Sequence, residues 1–532
     1  MNNDNSNKRI LIAVMLPLLF LIPYMYFFSP QKRVSTPSAN KTIESAPTSQ
    51  APIAQATTAP SETKGEAKAP ISSTKIIAKI ESASVDIEID ELGRIANVFL
   101  KDKKFLSKDG KPLSLLNADS IKPLELRFSD TTINKKAFDT PYTASASNID
   151  LDSSTQSLTL TQDLGELVVK KILTFHNDLS YDIQIELSKS VEYFISNGAR
   201  PLAEAASYAF KGVIIKKDDG KLEKIGDGDS DQTLTFNGAK FVASVDRYYA
   251  TLFFSKEGFD VITDKDNDEN PLPYVILRDN ASFSGYIGPK NYQDLKAISS
   301  DLGDVVEYGI ITFFAKPLFL FLEWLFGIFA NWGWAIIALT LTVRIVLYPL
   351  TYKGMVSMQK LKDLSPKLKE IQTKYKGDSQ KLQLHMMELY KKHKVNPMGG
   401  CLPLLLQIPV FFAIYRVLYN AVELKDSAWL LWIQDLSAMD PYFILPIIMG
   451  ATMYLQQHLS PATFNDPTQE KIFKFLPVFF TIFLITFPAG LILYWTINNI
   501  ASIIQQMIIN KVMQKKKAHE IEEHKGHKSD KD

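Results

Sequence analysis

The 532-residue sequence contains a single cysteine, Cys401, which excludes an internal disulfide and any zinc site built from cysteines. It has no nucleotide-binding motif and no internal repeat. Between Lys75 and Asp301 there is one histidine, His176, without a second histidine or a convergent acid–base motif. We therefore predict no enzyme, no cofactor and no metal site. The net charge of +1 gives no sign of direct nucleic-acid recognition, although it hides a strong asymmetry between segments.

Apolar residues, 46% of the chain, fall in a short block near the N-terminus and a long block toward the C-terminus. The short block, Ile10 to Phe28, is a run of 19 residues that can span a bilayer, and no small-x-small cleavage site follows it. Residues 1–28 are therefore predicted to form a transmembrane anchor. Residues 29–74, rich in Ser, Thr, Ala, Pro, Gln and Lys, are predicted to be a flexible linker.

Residues 75–305 show the period of two that is typical of strands. Apolar and polar residues alternate in VDIEID (85–90), SLTLTQ (157–162) and YDIQIEL (181–187). This pattern predicts a large β-sandwich domain in which each sheet has one dry and one wet face.

The C-terminal block predicts a helical membrane protein. Residues 309–330 carry Lys316, Pro317 and Glu323 among aromatics, which is typical of an amphipathic helix lying in the interface. Five apolar runs that follow are predicted to cross the membrane: 332–350, 397–419, 442–460, 473–487 and 489–510. With the anchor, this gives six transmembrane helices, and residues 331–510 form a five-helix core.

Lysines predict the orientation. Residues 351–396 contain eleven lysines against four acids, the tail 511–532 contains seven lysines, and the loop 420–441 contains one. Both lysine-rich segments fall on one side under the span count and are therefore predicted to be cytoplasmic. The N-terminus and C-terminus are then cytoplasmic, and the β-domain lies outside.

The segment 351–396 is also predicted to form a helical hairpin. Apolar residues step by three and four on both sides of a break at Lys376-Gly377-Asp378, and Ser365-Pro366 marks a start or a kink. Its outward lysines are candidates to contact lipid headgroups or a ribosome, with orientation alone as the alternative: Lys360, Lys362, Lys367, Lys374, Lys391 and Lys392.

Arg344 is the charged residue that most needs an explanation. A charge at the centre of a bilayer costs about 2.5 to 3.5 kcal/mol on insertion scales, so it indicates function unless the side chain snorkels to the interface. Arg344 precedes Leu350 by six residues, about 9 Å of helix, which predicts a charge in the inner leaflet. The polar groups predicted to line a groove with it are Thr340, Gln407, Tyr494, Trp495 and Asn498. Hydrogen bonding between helices is the alternative for Gln407 and for the asparagines Asn498 and Asn499.

One predicted span is unusually short. The run 473–487 has 15 residues and Pro477, roughly 22 Å of helix against a hydrocarbon core of about 30 Å. A span of this length predicts a locally thinned bilayer.

Four motifs resemble the YidC family of membrane protein insertases: TVRIVLYPLT (342–351), NPMGGCLPLLLQIPVFFAIY (396–415), DPYFILPIIMGATM (440–453) and FPAGLILYWTINNIASIIQQ (487–506). The region 29–305, with YIGPK (286–290), resembles the large periplasmic domain of Gram-negative members.

This resemblance implies an insertase and chaperone in the bacterial inner membrane, working alone or with the Sec translocon. Its implied partners are nascent membrane proteins, the lipid bilayer, the translocon and the ribosome. Two other functions stay open: a transporter of small anions that uses Arg344 as its binding site, and a periplasmic sugar-active enzyme with an elaborate anchor.

Overall fold

The computed structural model describes residues 75–106, 110–151, 155–201, 209–230, 232–266, 269–393, 395, 402–459 and 467–529. The predicted anchor 1–28 and linker 29–74 lie outside the described residues, as does Cys401. The chain divides into two compact units, Met1–Glu307 and Tyr308–Asp532.

The described part of the first unit is rich in strands. They are β1 (Ile76–Glu81), β2 (Val85–Asp90), β3 (Ile95–Leu100), β4 (Leu113–Ser114), β5 (Leu126–Phe128), β6 (Thr143–Ala144), β7 (Asn148–Asp150), β8 (Gln156–Asp163), β9 (Val168–Phe175), β10 (Ser180–Leu187), β11 (Tyr193–Ser196), β12 (Gly212–Lys216), β13 (Leu222–Gly226), β14 (Leu234–Val245), β15 (Tyr249–Lys265), β16 (Pro271–Leu277) and β17 (Ala281–Pro289). Two helices accompany them, α1 (Thr131–Asp139) and α2 (Tyr292–Ile298).

These strands form two sheets. The smaller has the order β4-β3-β2-β1-β7, with β1 and β7 parallel. The larger follows β13-β12-β14-β15-β17-β10-β9-β8-β6, and β16, β11 and β5 branch from β15. The β-rich character predicted for this domain is confirmed.

Burial follows the predicted alternation where a strand has one solvent face. In β8 the buried residues are Leu158, Leu160 and Gln162, and in β10 the buried Ile183 and Ile185 alternate with the exposed Asp182 and Gln184. In β11 every residue is buried, so no alternation marks it in the sequence.

The second unit is helical. Its helices are α3 (Thr312–Phe329), α4 (Trp332–Val346), α5 (Tyr348–Asp363), α6 (Ser365–Lys374), α7 (Ser379–Lys392), α8 (Leu402–Asn420), α9 (Ile444–Leu459), α10 (Pro467–Leu484) and α11 (Ala489–Ser529). The central element is α11, which packs against α4, α5, α8 and α9.

Two predicted helix bounds were wrong. The run 332–350 is not one straight helix, because α4 ends at Val346 and α5 leaves it at an angle of 65°. Pro349 in the first turn of α5 has no N–H to continue the ladder of α4. The run 473–487 belongs to a helix that begins earlier, at Pro467, and ends at Leu484.

The predicted count of six spans is not confirmed by the helices themselves. In the described part of the chain, only α3 is by itself long and apolar enough to cross a membrane, and α4 and α5 pass that test only as a bent pair. A shorter apolar stretch, Phe473–Leu484, lies in α10. The tail predicted over 511–532 is not separate from the last helix, because α11 continues as one helix to Ser529.

The predicted hairpin is present. It consists of α6 and α7, and Ser365-Pro366 begins α6. Its core contains Leu364, Leu368 and Val395, with Met386 and Leu389 packed against them. Apolar residues at helical spacing were therefore sufficient to find this element.

Candidate functional site

Arg344 lies in the last turn of α4 with 7% of its surface exposed. Its Nε donates a hydrogen bond to Oδ1 of Asn498 at 2.6 Å, and its Nη2 donates to the backbone oxygen of the same residue at 3.1 Å. The planar guanidinium fork therefore holds one residue of α11 through two bonds. Such a bidentate contact fixes the orientation of the guanidinium group as well as its position.

The partner of Arg344 is neutral. Within the described part of the chain, no carboxylate forms an ion pair with it. Tyr494, one helical turn before Asn498 on α11, is also buried and carries no charge at neutral pH. A buried cation whose acceptors are neutral has lost its hydration without gaining an opposite charge, so an incoming carboxylate can stabilise it.

A polar stripe on α11 faces α4. Tyr494, Asn498 and Ser502 are spaced by four residues, so they share one face of the helix, and all three are buried. The backbone oxygen of Asn498 also accepts a bond from the Ser502 hydroxyl at 2.9 Å. We call Thr340, Arg344, Tyr494, Asn498 and Ser502 the arginine cluster.

Thr340 is fully buried one turn before Arg344 on α4. Its hydroxyl donates to the backbone oxygen of Ile336 at 2.7 Å, so the proton is used within its own helix. Its oxygen can still accept a hydrogen bond from another donor. The structure thus places Thr340 beside the arginine's helical turn, without a bond between the two side chains.

Trp495 and Gln407 lie elsewhere. The Trp495 ring contacts the rings of Phe411 on α8 and Phe480 on α10, with centroids 4.8 Å and 5.8 Å away. Gln407 is half-buried on α8, one turn before Phe411, and neither hydrogen bond of Arg344 reaches it. The adjacent Asn499 donates to Thr452 on α9 at 3.3 Å, which is the interhelical bond considered as the alternative role for these amides.

Sequence reasoning missed Ser502 and Thr351. Both are buried, and Thr351 donates to the backbone oxygen of Tyr348 at 3.0 Å, just beyond the bend between α4 and α5. The spacing of four between Asn498 and Ser502 was a signal for the serine. No signal identified Thr351, because its burial depends on the bend.

The six hairpin lysines named from the sequence are all exposed. Lys360 and Lys362 lie in the last turn of α5, Lys367 and Lys374 on α6, and Lys391 and Lys392 in the last turn of α7. Lys374 lies 5.6 Å from the centroid of the Tyr375 ring. Their ammonium groups are available to anionic surfaces.

The first unit contains a buried ionic network. Arg94 bonds Asp90 and Glu125, each at 2.9 Å, and Arg127 bonds the other oxygen of Glu125 at 3.0 Å. Lys171 donates to the backbone oxygens of Gly93 and Leu124 at 2.9 and 2.8 Å. These mutual bonds tie β9 to the loops around β3 and β5, which is a structural role.

In the described part of the first unit, one histidine bonds an acid that also bonds a hydroxyl group. His176 and Ser284 both bond Asp182, at 2.9 and 2.7 Å, so the histidine does not stand between acid and hydroxyl as a nucleophilic triad requires. Among the described residues there is no group of His, Cys, Asp or Glu that could hold a metal ion.

Known proteins resemble the chain over nearly its whole length. Residues 78–321 match the family described as YidC periplasmic domain, and residues 324–517 match the family described as 60Kd inner membrane protein.

Three relatives share the description membrane protein insertase YidC. The one from Wolinella succinogenes is 55% identical over 96% of both chains. The one from Helicobacter pylori strain 26695 is 51% identical over 99% of this chain and all of its own. The one from Campylobacter jejuni is 47% identical over 97% of this chain and 98% of its own. This chain belongs to the YidC family of membrane protein insertases.

Proposed function

We propose that this chain inserts membrane proteins into the inner membrane and assists their folding and assembly, alone or with the Sec translocon. Relatives of closely similar length are named as insertases. The observation that carries the mechanism is the buried Arg344, whose hydrogen-bond acceptors in the described part of the chain are two oxygens of the neutral Asn498.

The proposed topology has six spans. They are the anchor 1–28, α4, α8, α9, α10 and α11, whereas α3 lies in the interface and the two sheets of the first unit form a sandwich in the periplasm. The turn between α3 and α4 supports this, because Ala330 and Asn331 alone separate the two helices. The lysine-rich hairpin and the C-terminal part of α11 are cytoplasmic, since short loops rich in lysine stay on that side.

The arginine cluster is the proposed point of contact for a polar tail. A neutral oxygen and a carboxylate both accept charge-assisted bonds from an arginine, but only the carboxylate adds the attraction between opposite charges. An acidic residue in the tail can therefore replace Asn498 as the partner of Arg344. Thr340, Tyr494 and Ser502 offer further hydroxyl oxygens that can accept from N–H groups of the tail, while Gln407 on α8 and Trp495 on α11 line the approach.

The thickness of hydrocarbon that the tail must cross is proposed to be small. α4 has 15 residues, about 22 Å, and the apolar stretch Phe473–Leu484 of α10 measures about 18 Å, against a hydrocarbon core of about 30 Å. A mismatch of this size favours a locally thinned bilayer. The tail then crosses less hydrocarbon than it would in undisturbed lipid.

The energy for insertion is proposed to come from the substrate. Burial of a substrate helix in lipid contributes about 25 cal/mol per Å² of apolar surface. The membrane potential contributes about 2.3 kcal/mol per charge per 100 mV for a charged tail. The exposed hairpin lysines are proposed to receive nascent chains, lipid headgroups or the ribosome.

Photocrosslinking tests this proposal while leaving Arg344 intact. A photoreactive residue at Thr340 lies in the arginine cluster, whereas one at Ile345 lies on a surface of the same helix that is 72% exposed. We expect nascent chains with acidic tails to crosslink from position 340 and lipids to crosslink from position 345. Equal yields of nascent chain from both positions would contradict a route past the arginine cluster.

A further inference from the structure

The segment 421–443, which joins α8 to α9, has an apolar tip. Trp429 N–H donates to the backbone oxygen of Ile433 at 3.0 Å, and Ile433 N–H donates to that of Leu430 at 3.1 Å, so residues 429–433 form a closed turn. Leu430 and Leu431 at its apex are 46% and 70% exposed. Trp429 and Trp432 stand on either side of them.

The backbone does not explain a leucine at this apex. Leu431 has φ of 54°, in the left-handed region where a side chain with a Cβ is strained and where glycine or asparagine is favoured. Asp426 in the same segment has φ of 48°, and aspartate is one of the residues that commonly adopt this conformation. Leu431 is therefore unfavourable both for the turn and for exposure to water.

The turn is held firmly at one end of the helical unit. Asn331, which caps α4, donates through its side-chain nitrogen to the backbone oxygen of Ala428 at 3.1 Å. A Cβ on Gly333 would lie 2.0 Å from the Trp429 ring, so α4 and the turn are in close contact there. Gly490 N–H at the start of α11 donates to the backbone oxygen of Leu436 at 2.8 Å. The segment thus covers the N-terminal ends of α4 and α11, opposite the hairpin that follows the C-terminal end of α4.

The chemistry of the surroundings favours lipid. Trp334, Met439 and Tyr442 are also exposed near the segment, and tryptophan and tyrosine are enriched where a bilayer meets water. Two acids of the segment bind the backbone: Asp440 accepts from the N–H groups of Tyr442 and Leu445 at 3.0 and 2.7 Å, and Asp435 accepts from that of Ser437 at 2.7 Å. The apolar surface continues onto the exposed Ile447 of α9, which is one of the proposed spans.

We propose that Leu430 and Leu431 enter the outer leaflet of the bilayer and hold the N-terminal end of α4 at a fixed depth. Arg344 is twelve residues beyond Trp332, about 18 Å along the helix, so this anchorage also fixes the depth of the arginine. The assignment to the outer leaflet rests on the topology of the proposed function. The insertion of the turn into lipid does not.

The test uses full-length protein with Cys401→Ser, reconstituted in liposomes without any other protein. A nitroxide is attached to Leu431→Cys or, as the control in the same segment, to Asp426→Cys. We expect the ratio of collisions with oxygen to collisions with a water-soluble nickel complex to be several-fold higher at position 431. Equal, water-like ratios at both positions would overturn the proposal, and they are the result expected if the turn instead docks a partner protein.

A second measurement tests the depth of α4. Leu430→Asn with Leu431→Asn suits the left-handed turn and removes the apolar tip, so the melting temperature in detergent should not fall. A nitroxide at Ile345→Cys should then change its depth in liposomes, and an unchanged depth would overturn the anchoring role. Impermeant thiol reagents applied from either side assign the leaflet. A lipid-embedded turn on the side of the hairpin would refute the topology and leave the insertion standing.

Discussion

Replacing Asn498 by aspartate should convert the partner of Arg344 from a neutral acceptor into an internal rival of the substrate. The new carboxylate would occupy the position of Oδ1, now 2.6 Å from the arginine's Nε, and both residues are at least 92% buried. The present bond already has a charged donor, so the substitution adds the attraction between two opposite charges, about 1.5 kcal/mol at the lower end of the range for close charge pairs. An acidic tail must overcome this attraction, so we expect its insertion to fall roughly 10-fold.

The assay is protease protection of the translocated tail, with acidic and uncharged tails on the same substrate. Asn499→Asp is the matched control, because it also buries a carboxylate in α11 but faces Thr452 on α9. Asn498→Asp should impair acidic tails selectively, whereas Asn499→Asp should affect both tails alike. If both variants impair acidic and uncharged tails in the same proportion, the charge of Arg344 does not attract the tail.

Three further predictions concern the rest of the chain. Deleting much of 75–280 should leave insertion largely intact in cells, provided that α3 remains; loss of all insertion by a stably produced deletion variant would contradict this. Burial lowers the pKa of Lys171 to about 7 from its ordinary 10.5, so the folded state holds fewer protons than the unfolded state between these values. The free energy of unfolding of the first unit in the full-length protein should therefore rise with pH from about 7 to 10.5, and Lys171→Met should flatten this rise; identical pH profiles would argue against it. Gly333→Ala should destabilise the helical unit by about 1 to 3 kcal/mol in thermal unfolding, because the added Cβ would overlap the Trp429 ring. Gly327→Ala is the control, since a Cβ there has open space and should not destabilise the unit. Equal melting temperatures for the two variants would contradict the contact between Gly333 and Trp429.

Local spacing predicted the elements whose cause is local. The hairpin follows from leucines at helical intervals, and β8 and β10 follow from alternation, because each pattern is a direct consequence of one buried face. Burial on both faces, as in β11, removes that signal, and the branch through β16 and β5 has no counterpart in the order of the chain.

The candidate site was predictable in part. A lone arginine in an apolar run indicated a functional position, and Thr340 followed from its helical turn. Local spacing placed Asn498 on the same helix face as Tyr494, but its bond to Arg344 joins residues 154 positions apart, so no local pattern could show that the two side chains meet. Gln407 and Trp495 were grouped with the arginine by polarity alone, whereas helix packing directs Trp495 toward Phe411 and Phe480.

The most direct test of the central claim is a double-mutant cycle between Arg344 and the acids of a substrate tail. Wild type and Arg344→Ala are each combined with the acidic tail and with its neutralised form, and protease protection is scored for all four; Arg344→Lys, which keeps the charge, should retain most activity. If the arginine attracts the acids, Arg344→Ala should impair the acidic tail alone, and neutralising those acids should remove most of the difference from wild type. If the two changes act additively, Arg344 and the tail do not interact, and the electrostatic account is wrong.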